Sequence, residues 1–186
     1  MAPTLIMLAG PNGAGKTTFY STFLSNKPLP FINADRFAAE FKLDAYEAAS
    51  LADRVRENFV ARNESFISET VFSDPNGKKL ELLLQAALKD YVVTLIYIGV
   101  SNPELSRERV AARVAAGGHD VPADKLDARY HRSLRNLEKA IRSLPRVILY
   151  DNSDFEEPYR FLAEFRSGVL VHQTDRPVPN WATRCL

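Results

Sequence analysis

The chain has 186 residues, 46% of them apolar and 25% charged, which suits one globular domain of ordinary size and excludes a disordered segment. Its formal net charge of +1 gives no support to bulk nucleic-acid binding, and the single cysteine, Cys185, excludes a disulfide framework and a cysteine-based zinc site and fits a reducing cytoplasm. The longest apolar stretch, Tyr91 to Val100, is too short to span a bilayer, and the apolar N-terminus runs straight into a functional loop, so neither a membrane span nor a secretory leader is expected.

The first predicted strand, Leu5–Ala9, leads into Gly10-Pro11-Asn12-Gly13-Ala14-Gly15-Lys16-Thr17, with Thr18 beside it and a predicted helix over Thr17–Leu24. This is a complete G-x-x-x-x-G-K-T phosphate-binding loop. Its glycines let the backbone bend around a phosphate chain so that N–H groups face the oxygens. Lys16 then reaches the β/γ-phosphates, and the Thr17 hydroxyl stands where Mg²⁺ binds. A nucleoside triphosphate is the ligand this pattern points to.

A second strand, Phe31–Asn33, precedes Ala34-Asp35-Arg36. The helix predicted over Ala45–Arg62 carries Leu51, Val55 and Phe59 at four-residue spacing. The third strand, Ser65–Glu69, ends at Glu69-Thr70, and a turn through Ser73-Asp74-Pro75 opens a helix over Asn76–Lys89, with Pro75 as a good first-turn residue. After a fourth strand, Val92–Val100, Ser101-Asn102-Pro103-Glu104 resembles a capping box that starts the next helix, on which Arg109 and Arg113 share a face. A glycine-containing connection from Ala116 to Pro122 includes His119. Between Val121 and Leu144, the residues Leu126, Tyr130, Leu134, Leu137, Ile141 and Leu144 form one apolar stripe. Arg129 lies at the edge of that stripe, Arg132 a step further round, and Arg135 on the far side. The fifth strand, Arg146–Tyr150, leads to Asp151-Asn152-Ser153. A last helix is predicted over Phe155–Phe165, a weaker strand over Val169–Val171, and the proline-rich tail from Thr174 carries Trp181. That tail either packs on the domain or stays mobile.

The alternation of apolar strands and amphipathic helices implies an α/β fold, a doubly wound and mainly parallel sheet with right-handed crossovers. In such sheets ligands collect at the carboxyl ends of the strands, so the residues there are the candidates. Asp35 would face the loop across the crevice, where it could accept the proton of a substrate hydroxyl, or it could cap a helix starting at Arg36. Glu69 and Thr70 could meet a polyol substrate or a Mg²⁺-bound water, or could simply end a strand. Asp151-Asn152-Ser153 reads as a Walker B end, as a loop flanking the adenine base, or as a turn; the base-flanking reading is preferred. The two arginine-bearing helices joined by glycines read as a lid over phosphates (about 104–142) or as a solvated hairpin. His119, His131 and His172 have no metal-ligand spacing.

Together, the Gly10–Thr18 loop, Asn33-Ala34-Asp35-Arg36, Ser68-Glu69-Thr70, Arg113…Gly117-Gly118-His119…Val121-Pro122…Arg129-Tyr130…Arg132-Ser133-Leu134 and Tyr150-Asp151-Asn152-Ser153 resemble the zeta-toxin-like P-loop kinases. The closer resemblance is to their short branch, often labelled predicted ABC-type ATPases. It covers almost the whole chain, from Leu5 to about Phe165. It implies an adenylate-kinase-like sheet with a helical lid, ATP as donor, Mg²⁺ held by Thr17, and a sugar-nucleotide acceptor, since zeta toxins phosphorylate UDP-N-acetylglucosamine. It also implies Asp35 as the base and Arg36, Glu69, Thr70 and His119 as acceptor contacts. Asn152 would lie beside the nucleotide, and Arg113, Arg129 and Arg132 would steady the transferring phosphoryl group. An antitoxin protein is the candidate partner. The chain is shorter than classical zeta toxins, and the region around Leu43–Asn63 matches none of their acceptor-binding sequence.

A transporter-type ATPase would need an L-S-G-G-Q signature, which is absent, since the one Gly-Gly pair precedes His119. A GTPase would need N-K-x-D, and Asn26-Lys27-Pro28-Leu29 fails at its last position. The remaining rivals are a kinase of the same architecture acting on a nucleoside, an antibiotic or a polynucleotide end, and a nucleotide-binding regulatory protein.

Overall fold

In the computed structural model, which describes residues 2–117 and 123–186, β1 (Thr4–Ala9) lies inside a seven-stranded sheet. The strand order is β2 (Phe31–Ile32), β3 (Phe66–Thr70), β1, β4 (Val92–Gly99), β5 (Arg146–Asp151), β6 (Arg160–Arg166), β7 (Val169–Gln173). Neighbours among β1 to β5 pair in parallel, and β6 and β7 add on as antiparallel strands. The sheet is therefore mainly parallel, as its near-continuous apolar runs imply. Alternation along β1 sends Leu5, Met7 and Ala9 into one core and Leu8 into another. The first core takes residues of α3 (Ala45–Ala61), α4 (Lys78–Leu88) and α6 (Ala123–Ser143); the second takes Phe19 of α1 (Lys16–Phe19) and Tyr130 of α6. Two cores on two faces make the sheet doubly wound. The register pairs Ala9 with both Thr70 and Tyr97, and Gly99 with Asp151, so these strand ends share one rim.

Several elements differ from the sequence reading. Instead of a helix over Phe155–Phe165, the chain turns at Tyr159 (φ 57°) and forms β6, which pairs with β5. Without that partner one side of β5 would leave backbone groups unpaired inside the protein, and this outweighs local helix preference. Helix α2 (Ala34–Phe41) is capped by Asn33, whose side chain accepts from the Arg36 N–H; Asp35 is a first-turn residue and not the cap. Helix α4 begins after Gly77 (φ 70°), which leaves Pro75 outside it. Helix α5 (Pro103–Ala115) is capped by Asn102, whose side chain accepts from the Leu105 N–H, so the expected Ser101/Glu104 box is not its start. Helix α1 is short and passes into a π-helical segment, Tyr20–Leu24.

On α3 the buried face is Ala48, Ala52, Arg56 and Val60, one position round from the expected Leu51, Val55 and Phe59. The α6 stripe stands as expected, with Leu126, Tyr130, Leu137 and Ile141 buried and Arg135 exposed. The tail packs: Trp181 and Ala182 are buried in the first core. Among the described residues no helix is long and apolar enough to cross a membrane.

Candidate active site

The phosphate-binding loop is shaped by close approaches that only glycine permits. Gly10 takes φ 142°, and a Cβ there would lie 2.1 Å from the Ile98 carbonyl oxygen. Gly15 takes φ 84°, and its Cβ would lie 2.6 Å from Asn152 Nδ2 and 2.8 Å from the Tyr159 hydroxyl. Three side chains grip the loop's carbonyls from outside. Asn152 Nδ2 donates to Ala14 O (2.9 Å), the Tyr159 hydroxyl to Gly15 O (2.9 Å) and Ser106 Oγ to Asn12 O (2.7 Å). With its carbonyls engaged outward, the loop offers its inner N–H groups to an anion. Lys16 is buried and donates from Nζ to Pro11 O (2.9 Å). Burial holds its pKa below the usual lysine value, Glu69 and Asp35 oppose that shift, and Arg113 adds to it.

Glu69, at the end of β3, accepts from the Thr17 hydroxyl (2.8 Å) and from Asn33 Nδ2 (2.9 Å) on the same oxygen. The residue that caps α2 thus also orients this carboxylate. Behind it, the buried Arg56 donates to Ser68 Oγ (2.7 Å), to the Glu69 carbonyl (2.9 Å) and to Asp53 (2.6 Å), and Lys79 closes the network on Asp53 (2.7 Å). Two consecutive residues of β3 are therefore fixed from beneath.

Asp35 lines a cleft of about 410 Å³ with Asn12, Gly13 and Lys16 of the loop, Glu69, Thr70, and Arg113, Arg129 and Arg132 of α5 and α6. Its α3 wall begins with the small side chains Ala45, Ala48 and Ala49, which leave space, and continues with Asp53 and Arg56. Arg36 stands outside this lining, with its guanidinium over the Phe31 ring at 5.8 Å. His119 lies outside the described residues. Helix α6 binds the loop that follows β3. Ser133 donates to Val71 O (2.8 Å), Arg132 Nε to Ser73 O (2.9 Å), and Asn136 Nδ2 to Phe72 O and Asp74 O (3.0 and 3.1 Å). That grip holds Phe72 at φ 59°, a strained conformation for a bulky residue.

A second cavity of about 490 Å³ opens on the other side of Gly13, lined by Gly15, Thr18, Arg109, Asn152, Phe155 and Tyr159 among others. Arg109 donates to Asn152 O (2.6 Å) and Ser153 O (3.3 Å), and its guanidinium lies 4.5 Å from the Phe155 ring centre. Among the described residues its buried Nε has no hydrogen-bond partner. Asp151 accepts from Trp181 Nε1 (2.9 Å) and Ser153 Oγ (2.6 Å) and faces Arg160 (3.7 Å). The carboxylate in contact with Thr17 is Glu69, so a Walker B role for Asp151 finds no support in its contacts.

A family model described as an AAA domain matches residues 5–137, well over half of the chain. The chain belongs to this AAA-domain family. An uncharacterized protein of Haemophilus influenzae is 27% identical over 130 residues, covering 67% of this chain and 91% of that protein. Among solved structures, a chain from the AvrRxo1-ORF1:-ORF2 complex with ATP aligns with a TM-score of 0.67 at 18% identity, and this family member covers 60% of that chain's length with 91% of its own. A candidate kinase from Chloroflexus aurantiacus aligns with a TM-score of 0.58 at 21% identity, over 84% of this chain and 92% of that one. The PezAT chromosomal toxin-antitoxin system of Streptococcus pneumoniae aligns with a TM-score of 0.54 at 18% identity, over 96% and 75%. At these identities the likeness shows the fold, that of a P-loop kinase.

For this family member, sequence reading missed Asn33, Arg56 and Tyr159 as parts of the site, and it took Arg109 only as one arginine of the lid helices or of a solvated hairpin. Arg56 carried a signal, since it interrupts the small-residue series Ala48, Ala52, Val60 at four-residue spacing. A charge on a buried stripe implies a polar partner underneath. Tyr159 carried none, because a helix was predicted across it. Among the described residues no group of three or more His, Cys, Asp or Glu could hold a metal ion.

Proposed function

We propose that the protein is an ATP- and Mg²⁺-dependent phosphotransferase that moves the γ-phosphate of ATP to a hydroxyl of a small molecule, with a UDP-N-acetyl sugar as the first acceptor to test. One observation carries the reading: two cavities meet at Gly13, one behind the phosphate-binding loop and one in which Asp35 stands with Lys16 and with Arg113, Arg129 and Arg132 of α5 and α6. That is the layout needed to hold a donor and an acceptor on opposite sides of a transferring group.

The residues present fit Mg²⁺ and ATP. The buried Lys16 lines the cleft beside Asn12 and Gly13 of the loop, and the Thr17 hydroxyl already meets a carboxylate, that of Glu69. Bound Mg²⁺ would neutralise charge on the β- and γ-oxygens. Thr17 would be its direct ligand, and Glu69 would accept from its water or from the acceptor. Asp35 would take the acceptor hydroxyl's proton as the new O–P bond forms and the bond from the γ-phosphorus to the β-bridging oxygen breaks, releasing ADP. Lys16, Arg113, Arg129 and Arg132 would hold the charge that spreads over the equatorial oxygens. Arg109, stacked on Phe155, would face the base with Asn152.

In this reading the chain is one kinase domain with a lid at about 104–142 and a tail at about 174–186, working in the cytoplasm. The AvrRxo1-ORF1:-ORF2 and PezAT neighbours, each a pair of proteins, support an antitoxin-type partner. The test is incubation with Mg-ATP and a panel of UDP-sugars, nucleosides and oligonucleotides, read by mass spectrometry. A phosphorylated UDP-N-acetyl sugar is the expected product. A phosphorylated nucleoside or oligonucleotide with the sugar untouched would overturn the acceptor, and no product with any acceptor would overturn the transfer.

A further inference from the structure

The chain has one tryptophan, and it lies in the tail, far from the phosphate-binding loop in sequence. Trp181 is buried against Tyr97, with ring centres 5.8 Å apart. It also fills the space above Gly99, where a Cβ would come within 2.3 Å of its ring. Its indole N–H donates to Asp151 Oδ1 (2.9 Å), and the same oxygen accepts from Ser153 Oγ (2.6 Å). The next residue, Asn152, donates from its backbone N–H to Gly99 O (2.9 Å) and from its side chain to Ala14 O (2.9 Å), inside the phosphate-binding loop. Its own carbonyl, with that of Ser153, takes the two Arg109 bonds. The tail has a second hold on this region, because Arg160, beside Asp151, donates to Pro177 O (3.1 Å).

We propose that the C-terminal tail is part of the nucleotide site, with Trp181 as a positioning residue that acts through Asp151 to fix Asn152 and Ser153 against the phosphate-binding loop and Arg109. Trp181 touches no ligand in this scheme. Its N–H sets which way the Asp151 carboxylate faces, and that carboxylate in turn anchors the loop whose carbonyls aim Arg109 at the cavity. A tryptophan kept only for packing would need the ring and not the N–H. The inference rests on the ATP reading, and the experiment separates the two.

Mg-ADP and Mg-ATP binding to the full chain is measured by titration calorimetry for the wild type, Trp181→Phe and Ser153→Ala. Phenylalanine keeps an aromatic ring over Gly99 and loses the donor; Ser153→Ala removes the other bond to Asp151 without touching the core. Loss of one buried hydrogen bond to a charged group should weaken nucleotide binding about 5- to 20-fold in Trp181→Phe, and in the same direction in Ser153→Ala. With whichever acceptor the panel returns, KM for ATP should rise while kcat and the acceptor KM hold. A wild type that binds neither nucleotide overturns the ATP reading. A wild type that binds, with both variants within about two-fold of it, overturns the role of the tail. Equal weakening toward nucleotide and acceptor overturns it as well, because that is general loosening.

Discussion

On the Asn152 side of Gly13 the phosphate-binding loop and the Asn152-Ser153 turn present backbone pinned by side chains, beside the rings of Phe23, Phe155 and Tyr159. The carbonyls of Asn12, Ala14, Gly15, Asn152 and Ser153 each meet a donor, and the strands beneath are buried. On the Asp35 side the wall is made of side-chain identities, among them the alanines of α3, the carboxylates of Asp35 and Glu69, and the guanidinia of Arg113, Arg129 and Arg132. A site made of backbone suits a ligand group shared by many substrates, the phosphate chain. A site made of side chains can change its ligand by substitution while the fold stays. In the proposed reading, the difference puts acceptor choice in α3, the end of β3 and α6, and not in the phosphate-binding loop.

The largest effect is expected from Lys16→Ala, which removes the buried charge of the phosphate-binding loop itself. Nucleotide affinity and transfer should both fall, transfer by about 100-fold or more, measured by calorimetry and product assay. If nucleotide binding survived unchanged, the loop would not be the donor site. Asp35→Asn breaks only one half. Transfer should drop by about 10²- to 10⁴-fold with nucleotide affinity kept. Near-normal transfer in that variant would leave Asp35 as a first-turn charge favouring α2 and nothing more.

The smallest effect concerns pH and the tail that backs the Asn152 side. Burial pushes the Cys185 thiol up to about 11 from its ordinary 9.0, and the Tyr130 hydroxyl up to about 12 from 10.0. Both folded-state values are raised, so the native protein keeps these protons longer than the unfolded chain does. The contribution is fully present below pH 9 and is lost as pH rises through the window of 9 to 12. Thermal melts should show Tm falling across that window, and Cys185→Ala should flatten the part below pH 11. An identical slope in the variant would separate Cys185 from the alkaline loss.

The phosphate-binding loop, the carboxyl-end residues Asp35, Glu69 and Thr70, and the α6 stripe with Arg129 at its edge were legible because each is a local pattern. Glycine conformation, strand ends and helical periodicity need only neighbouring residues. Asp35 as a helix cap was a fair local reading that failed because Asn33, two residues earlier, does the capping and orients Glu69 as well. The helix predicted over Phe155–Phe165 failed because backbone pairing with β5 outweighs propensity there. Arg56 broke a helical stripe and could have been noticed; the Ser68 and Glu69 groups it serves come from another element.

What the sequence by itself determined is the phosphate-binding loop and the alternation of strands and helices as far as β5, since contiguous residues encode turns, periods and phosphate cradles. Only the tertiary structure decided that Thr17 meets Glu69 and not Asp151, that Asn152 and Tyr159 grip the loop's carbonyls, and that Trp181 reaches back to Asp151. Those contacts join residues far apart in the chain, and their partners are set by strand order and burial, which no single segment contains.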